Sequence, residues 1–574
     1  MKTMIKVTLF ALFVMSLAGC NGVTTILSPT THSEEDIMIS FDSKGGNQIE
    51  DIIYNSGLTI YPSPSKPGYY FAGWFLDEGL TQEFNLDIVI TESITLYAKW
   101  IEEVIVIYQL YTLEDLNTVR YDLDGDFTLM ESIYIPGDWE PIGTESNPFT
   151  GTFNGNGYTI EQGVDEAITD TVFGLFGYLE GEIYDLHLIQ RMSFEQDQSL
   201  IFGSLAGVSN GGYIHDCTIR TYFNINLKNI NGYVIFGNLV GKMIDGIIEN
   251  VSSNTDIEFH VYNSNLVDAI SQNIYIGGLV GQIESGSVEF IETKGVLYYF
   301  QEDIPAIIDC DFVTSIGGIA AKAYDSEISY IFSNYQIGGE FYNYNQDIDV
   351  YLSGVVGISE QCDLSMIDVY TGGTESDYEG NLDVYIGGIV GLMQGGTIIY
   401  VSCDFFIRNF TYGDMSNGHF SSGLLIGYAK NIDASDIMNG GNIQYWYNSE
   451  SNAPILAGGA FGYIEDSSID RIAINASISV YSPPITSSCL VGKIYGLNEN
   501  VTIGTIYKFV DYEFFNIVFY DMWIGMEHLE DLQPGELING YEAFYQAAYD
   551  MLGSDLWTYP NKYDPPYLRK FLLW

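Results

Sequence analysis

Side chains able to do chemistry are few in this 574-residue chain, and they are poorly spaced for it. The six histidines are His32, His187, His215, His260, His419 and His528. A zinc-peptidase helix needs His-Glu-x-x-His, so that two imidazoles face one metal while the glutamate serves as base. Glu527-His528 is the nearest approach and lacks the second histidine. Neither a G-x-S-x-G elbow nor a phosphate-cradling glycine loop ending in Lys-Ser/Thr occurs. Asp122-Leu123-Asp124-Gly125-Asp126 opens like a calcium loop. Its glycine comes fourth instead of sixth, however, and Ile133 stands where the bidentate glutamate belongs, so a β-turn before a strand is expected. With 76 Asp and Glu against 20 Lys and Arg, some carboxylates fall close together whatever the fold, so counting them singles out no acid–base pair. Arg191, Arg220, Lys242 and Arg408 are the scarce bases an elimination could use, and no motif surrounds them.

These readings predict no enzyme, no resident cofactor and no metal site, with a polysaccharide-acting lyase or hydrolase as the alternative. The net charge of −56 excludes nucleic acid as a default partner, because a phosphate backbone is gripped by clustered Lys and Arg. Diffuse calcium binding to the acidic surface is compatible with it, at no particular residue. Hydrophobic residues make up 47% of the chain, enough for a core, so a disordered acidic chain is excluded as well.

One cysteine does have a chemical context. Lys2 and Lys6 precede an apolar run from Val7 to Ser16, which is too short to span a bilayer, and Leu17-Ala18-Gly19-Cys20 follows. This ending resembles the lipobox of bacterial lipoproteins, which implies lipid attachment at Cys20 and display on the extracellular face of the bacterial membrane. Membrane contact is expected through that N-terminal lipid only. Residues 1–20 are thus expected as a signal peptide and 21–36 as a tether spanning roughly 20–24 Å. Cys217, Cys310, Cys362, Cys403 and Cys489 are an odd number with no C-x-x-C, which predicts buried apolar thiols, not a disulfide framework or zinc.

Residues 37–102 alternate around Ile37-Ile39-Phe41, turn at Gly45-Gly46, bend at Pro64 and Pro67-Gly68, and close on Ile94–Trp100. Phe41-Asp42-Ser43-Lys44-Gly45-Gly46, the P-x-x-P-G-Y-x-F-x-G-W run from Pro64 to Trp74, and Leu96-Tyr97-Ala98-Lys99-Trp100 together resemble the Listeria–Bacteroides repeat of bacterial surface proteins. That resemblance implies a small β-grasp-like module, displayed outside the cell and contacting protein without catalysis. Trp74 and Trp100 are expected in its core.

From about residue 170 a small residue followed by a hydrophobic pair and glycine recurs. Gly174-Leu175-Phe176-Gly177, Gly237-Asn238-Leu239-Val240-Gly241, Gly277-Gly278-Leu279-Val280-Gly281 and Gly387-Gly388-Ile389-Val390-Gly391 are examples, and Leu490-Val491-Gly492 is read as the tenth and last. Ala321 stands in for the final glycine of the fifth copy. Apolar positions recur behind each marker, as Ile283, Val288 and Ile291 do behind Gly281. One copy cannot bury these alone, so stacked coils of a parallel β-solenoid are expected, and ten rungs make a rod of roughly 43 Å.

The markers resemble the GLUG motif of large bacterial surface proteins, including the region ahead of the peptidase in immunoglobulin A proteases. The lead-in Trp139-Glu140-Pro141-Ile142-Gly143 and the run from Phe149 to Ile160 belong to the same resemblance. It implies a solenoid over residues 103–510 with an N-terminal cap, the peptidase being missing. Thr112 and Asp115 are spaced as a capping box for a short helix reaching Arg120. Residues 511–574 are expected to cap the far end, with Tyr541, Phe544, Tyr545, Ala548 and Leu552 on a helical face.

The fold class is therefore all-β, one small module followed by a solenoid. The expected function is non-catalytic adhesion or recognition of an extracellular carbohydrate or protein ligand, with a spacer that binds nothing as the second reading. Tyrosines at alternating positions (Tyr298-Tyr299, Tyr342 with Tyr344, Tyr445 with Tyr447) could present rings to a ligand or stack between rungs, and no binding residue is singled out.

Overall fold

The computed structural model describes residues 37–512 apart from 55–60, 86–87, 103–105, 138, 165–167, 169–170, 229, 231, 263–270, 302–310, 413–417, 448–454, 482–488, 493–494 and 505; beyond 512 it describes 536–537, 557–558 and 567–568. Cys20 with its signal peptide, the tether, Cys310, Glu527-His528 and the helical face Tyr541–Leu552 lie outside the described residues. The chain divides into two compact units, residues 1–105 and 106–574.

In the first unit, β1 (Met38–Asp42), β2 (Ile52–Ile53), β3 (Tyr69–Phe75) and β4 (Ile94–Glu102) form one sheet in the order β2-β1-β4-β3. β1 and β4 run parallel and the other pairs antiparallel. Ile39, Trp74, Ile90, Leu96 and Ala98 are its buried core, with Phe41, Phe71 and Trp100 packed on them. The indole N–H of Trp74 donates to Pro62 O at 2.8 Å, and that of Trp100 to Ser43 O at 2.8 Å. Both tryptophans are thus fixed structurally. Gly46 must be glycine, since a Cβ there would lie 2.5 Å from the Trp100 ring.

The second unit is a parallel β-solenoid. Each rung has a strand before the glycine marker, one after it, a short middle strand, and a long strand that carries most of the width. Register is kept across the rungs at the markers, and shifts only in the long strand, between Ser333 and Gln336, Asn343 and Ile348, and Tyr370 and Gly372 among the described residues. Gly203, Gly237, Gly277, Gly317, Ser353, Gly387, Gly423, Gly458 and Gly492 are successive partners in the strand before the marker. This column corrects the reading of the last copy. Gly492 pairs with Gly458, the first glycine of its marker, and Tyr495 pairs with Phe461, so Gly496 is the final glycine. The interior is a stack of inward positions, such as Ile183, Ile214, Ile248, Val288, Ile328, Leu364 and Ile398 in the middle strand, each fully buried.

At the start of the solenoid, α1 (Leu113–Thr118) has the expected capping box: the Thr112 side chain accepts from the Asp115 N–H, and the Asp115 carboxylate accepts from the Thr112 N–H. Leu116 is buried in the solenoid core. Arg120, just past the helix, donates to Pro141 O at 3.1 Å and lies over the Trp139 ring at 4.7 Å. The Asp122 segment is a turn, closed by Gly125 N–H donating to Asp122 O at 3.1 Å.

Most rungs turn two further corners in the left-handed region, at φ between +48° and +75°. The first falls four residues past the final marker position and is occupied by Gly211, Asp245, Ser285, Asp325, Gln361, Gly395, Asn431, Asp466 and Asn500. Most are Gly, Asp or Asn, the residues that tolerate this backbone. The second falls nine past it in all but the first rung, and its occupants differ: Asp185, Asp216, Asn250, Phe290, Tyr330, Met366, Tyr400, Asp436 and Arg471. The same backbone thus meets two very different sets of side chains.

Candidate functional site

The marker glycines shape the outside of the solenoid as much as its stacking. Outward residues of the strand before one marker rest on the final glycine of the next rung: a Cβ on Gly241 would lie 2.7 Å from Ile201 Cγ2, and one on Gly281 would lie 2.7 Å from Ile235 Cγ2. The elbow is therefore concave outward, and its repetition makes a trough along the rod. One wall is the column Ile201, Ile235, Tyr275, Ser315, Tyr351 and Tyr385. The other is the column Val208, Lys242, Gln282, Lys322, Ile358, Leu392, Tyr428 and Tyr463. At the N-terminal end the trough opens into a cavity of 290 Å³ between Tyr178, Ile201, Val208, Lys242 and Ile244.

Tyrosine dominates the far half. Tyr351 stacks on Tyr385 at 5.1 Å, Tyr385 meets Tyr428 across the elbow at 6.1 Å, and Tyr428 meets Tyr463 at 5.1 Å. Tyr275, Tyr385, Tyr428 and Tyr463 are half-buried. Burial raises the phenols of Tyr275, Tyr385 and Tyr428 above their ordinary range, so all are neutral hydroxyls. The charged groups beside them are paired. Lys242 meets Glu284 at 2.8 Å, Lys322 meets Glu360 at 2.9 Å, and Lys430 meets Glu465 at 2.8 Å. Hydrogen bonds from Lys430 and the Tyr428 hydroxyl hold Glu465 below the usual carboxylate range.

The residues weighed for chemistry are scattered. Arg191 pairs with Glu161, Arg408 pairs with Glu375 at 2.9 Å, and Arg220 stands exposed on the long strand. Of these bases only Lys242 lies in the trough. His215 is stacked between Tyr184 and Tyr213, and His260 stacks on Phe300. No group of three or more metal-ligating side chains is found among the described residues. Cys217, Cys362 and Cys403 are buried, and burial pushes the Cys217 thiol up to about 12. Among the named tyrosines, Tyr299 and Tyr445 point inward and join a buried ladder with Phe341, Tyr378 and Phe420, whereas Tyr298 faces solvent.

Sequence reasoning missed the trough, the second corner and Arg471. Arg471 grips Asp436 with two hydrogen bonds of 2.6 Å each, both residues sitting at second corners. Counting nine residues past each marker would have found that column; no comparable signal marks the trough.

The Listeria-Bacteroides repeat domain family matches at residues 38–99, the segment that folds as the four-stranded module. Two proteins of Evansella cellulosilytica are also similar. One carries the provisional name of a membrane protein and is 33% identical over 94 residues, 16% of this chain and 14% of its own. The other is provisionally named a Gly-rich membrane protein and is 42% identical over 66 residues, 11% of this chain and 8% of its own. The chain thus spans less than a sixth of either relative. A 1.30 Å crystal structure of a Bacteroides ovatus protein, provisionally named an immunoglobulin A1 protease, aligns over 50% of this chain and 83% of its own, at 15% identity and a TM-score of 0.33. No helix among the described residues is long and apolar enough to cross a membrane.

Proposed function

We propose that this chain is a lipid-anchored, non-catalytic protein of the bacterial surface, and that its trough recognises an extended carbohydrate or protein chain. The observation that carries the reading is the row of half-buried tyrosines, Tyr275, Tyr385, Tyr428 and Tyr463, along a continuous outward elbow. Tyrosine offers an apolar face and a polar edge at small entropic cost, which suits sugar rings and peptide backbones alike. The paired charges support binding over hydrolysis: a general acid at neutral pH needs a raised pKa, and Glu465 is displaced the other way. Lys2, Lys6 and Leu17-Ala18-Gly19-Cys20 support the anchor, the Listeria-Bacteroides repeat supports display outside the cell, and the markers support a GLUG-type array.

The test is a glycan and extracellular-matrix array probed with the mature full chain, with and without calcium. Binding that falls at least tenfold in a Tyr385→Ala, Tyr428→Ala double variant is the expected result. Silence in both formats overturns recognition in favour of a spacer. A hydrolytic reading draws on one observation. Glu340 and Asp377 are partners on the outer face of the long strand, and burial together with Glu340 raises Asp377. Glycan cleavage lost in Asp377→Asn would decide for it. For the anchor, Cys20→Ala should abolish metabolic labelling with palmitate, and unchanged labelling would refute it.

A further inference from the structure

We infer that the ridge of second corners carries a binding site separate from the trough, built to take one neutral sugar ring. The starting point is the backbone. Phe290, Tyr330, Met366 and Tyr400 hold φ between 55° and 56° in four consecutive rungs, a region that bulky L residues rarely occupy. Folding alone does not ask for them, because the first corner meets the same need mostly with Gly, Asp and Asn. Strained residues of this kind gather where a side chain is wanted for its surface.

That surface borders a cavity in the wall of the solenoid. It measures 440 Å³, and Phe290 and Tyr330 stand in its wall as a stacked pair, 4.5 Å between centroids and 11° between planes. This is the size of a small-molecule pocket and too small for a folded partner. Asp216, Asn250 and Glu292 bring acceptor oxygens to the same wall, and Thr218 and Ser252 bring hydroxyls. An aromatic platform ringed by acceptors and hydroxyls matches a pyranose, whose axial C–H face stacks while its hydroxyls donate around the edge.

The acceptor is held before any ligand arrives. Asn250 donates its side-chain N–H to Asp216 Oδ1, and His215 Nδ1 bonds Asp216 Oδ2 at 2.7 Å. His215 is itself clamped between the rings of Tyr184 and Tyr213, at 5.1 and 4.3 Å, and by Glu182 at 3.2 Å. Preorganisation of this kind lowers the ordering cost of binding. Charge sets the class of sugar. Asp216 and Glu292 line the cavity of a chain whose net charge is −56, so a uronate or sialylated ring is repelled and a neutral hexose is not.

The probes are the methyl glycosides of glucose, galactose and mannose, with methyl glucuronide as the charged comparator, titrated into the mature full chain and followed by saturation-transfer NMR. At least one neutral glycoside should bind with millimolar affinity and the glucuronide should not. Phe290→Asn keeps a residue suited to the corner while removing the platform; it should weaken binding at least tenfold with the circular dichroism spectrum unchanged. Tyr428→Ala, in the trough, should leave it unchanged. The inference is overturned if no neutral glycoside binds, if Phe290→Asn binds as well as wild type, or if Tyr428→Ala abolishes binding. The last result would assign the sugar to the trough and leave the proposed function standing.

Discussion

Replacing Phe290 by asparagine and, separately, by alanine weighs the backbone of the second corner against its side chain. Both substitutions remove the same ring. The lost stacking on Tyr330 is worth about 0.5–1.5 kcal/mol, and the half-buried apolar surface about 1 kcal/mol more. They differ in what they do to a residue held at φ 56°. Alanine keeps the Cβ clash of the left-handed region, which costs an L side chain about 1–2 kcal/mol. Asparagine escapes much of that cost, because its short amide bonds locally with the backbone. Phe290→Ala should therefore destabilise its rung by about 2 kcal/mol and Phe290→Asn by only about 1, although asparagine is the more polar replacement.

A global melt is a poor readout, since a stacked array opens in sections and each rung contacts only its neighbours. Hydrogen exchange of the amides between Val288 and Leu297 reads the rung directly. A difference of about 1 kcal/mol between the variants is a factor of about five in protection. Asn250→Ala, in the same column one rung earlier, provides the converse and should lose protection, the Asp216 contact going with it. If alanine at 290 protects as well as asparagine, the corner is not strained, and the step from strain to binding site fails.

Other outcomes follow from single contacts. Burial raises the Asp368 carboxyl from 3.8 to about 6, so the folded state disfavours its charged form. Stability is therefore fully present below the unfolded value near 4 and is lost as pH rises to about 6; Asp368→Asn should gain about 3 kcal/mol at pH 7 and little at pH 3, read from urea midpoints at both pH values. Asn238 accepts from Thr221 at 2.6 Å and donates to Ser253 and Thr255 at 2.8 and 2.7 Å, all four residues being buried. Asn238→Ala leaves three hydroxyls short of a partner and should cost about 2–4 kcal/mol in the same assay. Gly281→Ala places a Cβ 2.5 Å from Gly241 O and should cost about 1–3 kcal/mol, whereas Ala321→Gly, at the equivalent position, should shift the midpoint little.

The solenoid was legible because its inward positions repeat in kind as well as in spacing. Ile283, Val288 and Ile291 are apolar for the same reason as Met393, Ile398 and Val401, and each set is buried against its neighbours. The alternation left the tyrosines open, and the structure decides them: Tyr299 lies inside and Tyr298 outside, and Tyr445 inside beside an exposed Trp446. The tenth marker misled for a local reason: Leu490-Val491-Gly492 imitates the end of a copy but stands at its beginning. Only strand register, Gly492 on Gly458, separates the two. The trough was beyond reach from spacing alone. Tyr385 and Tyr428 belong to different rungs and to different sides of an elbow, and their contact depends on how sharply that elbow folds. Apolar periodicity reports which way a side chain points and is silent on which strands close over it.

The two corner columns also separate what folding requires of a repeat from what it merely permits. Both corners have a left-handed backbone, recur in nine rungs each among the described residues, and stack on equivalents of themselves in neighbouring rungs. A requirement of folding alone would fill them alike. Instead one column keeps to small or polar residues, and the other holds two phenols, a phenyl and a thioether on successive rungs, at about 1–2 kcal/mol each in backbone terms. A globular domain of marginal stability could hardly carry that sum. A solenoid can, because the interior columns beneath each corner are continuous and every rung is held from both sides. Repetition thus turns a corner into a position where side chains can be set by what lies outside the molecule. The change from Asp216 and Asn250 to Phe290 and Tyr330 falls at the rim of the 440 Å³ cavity, where a ligand would read the difference.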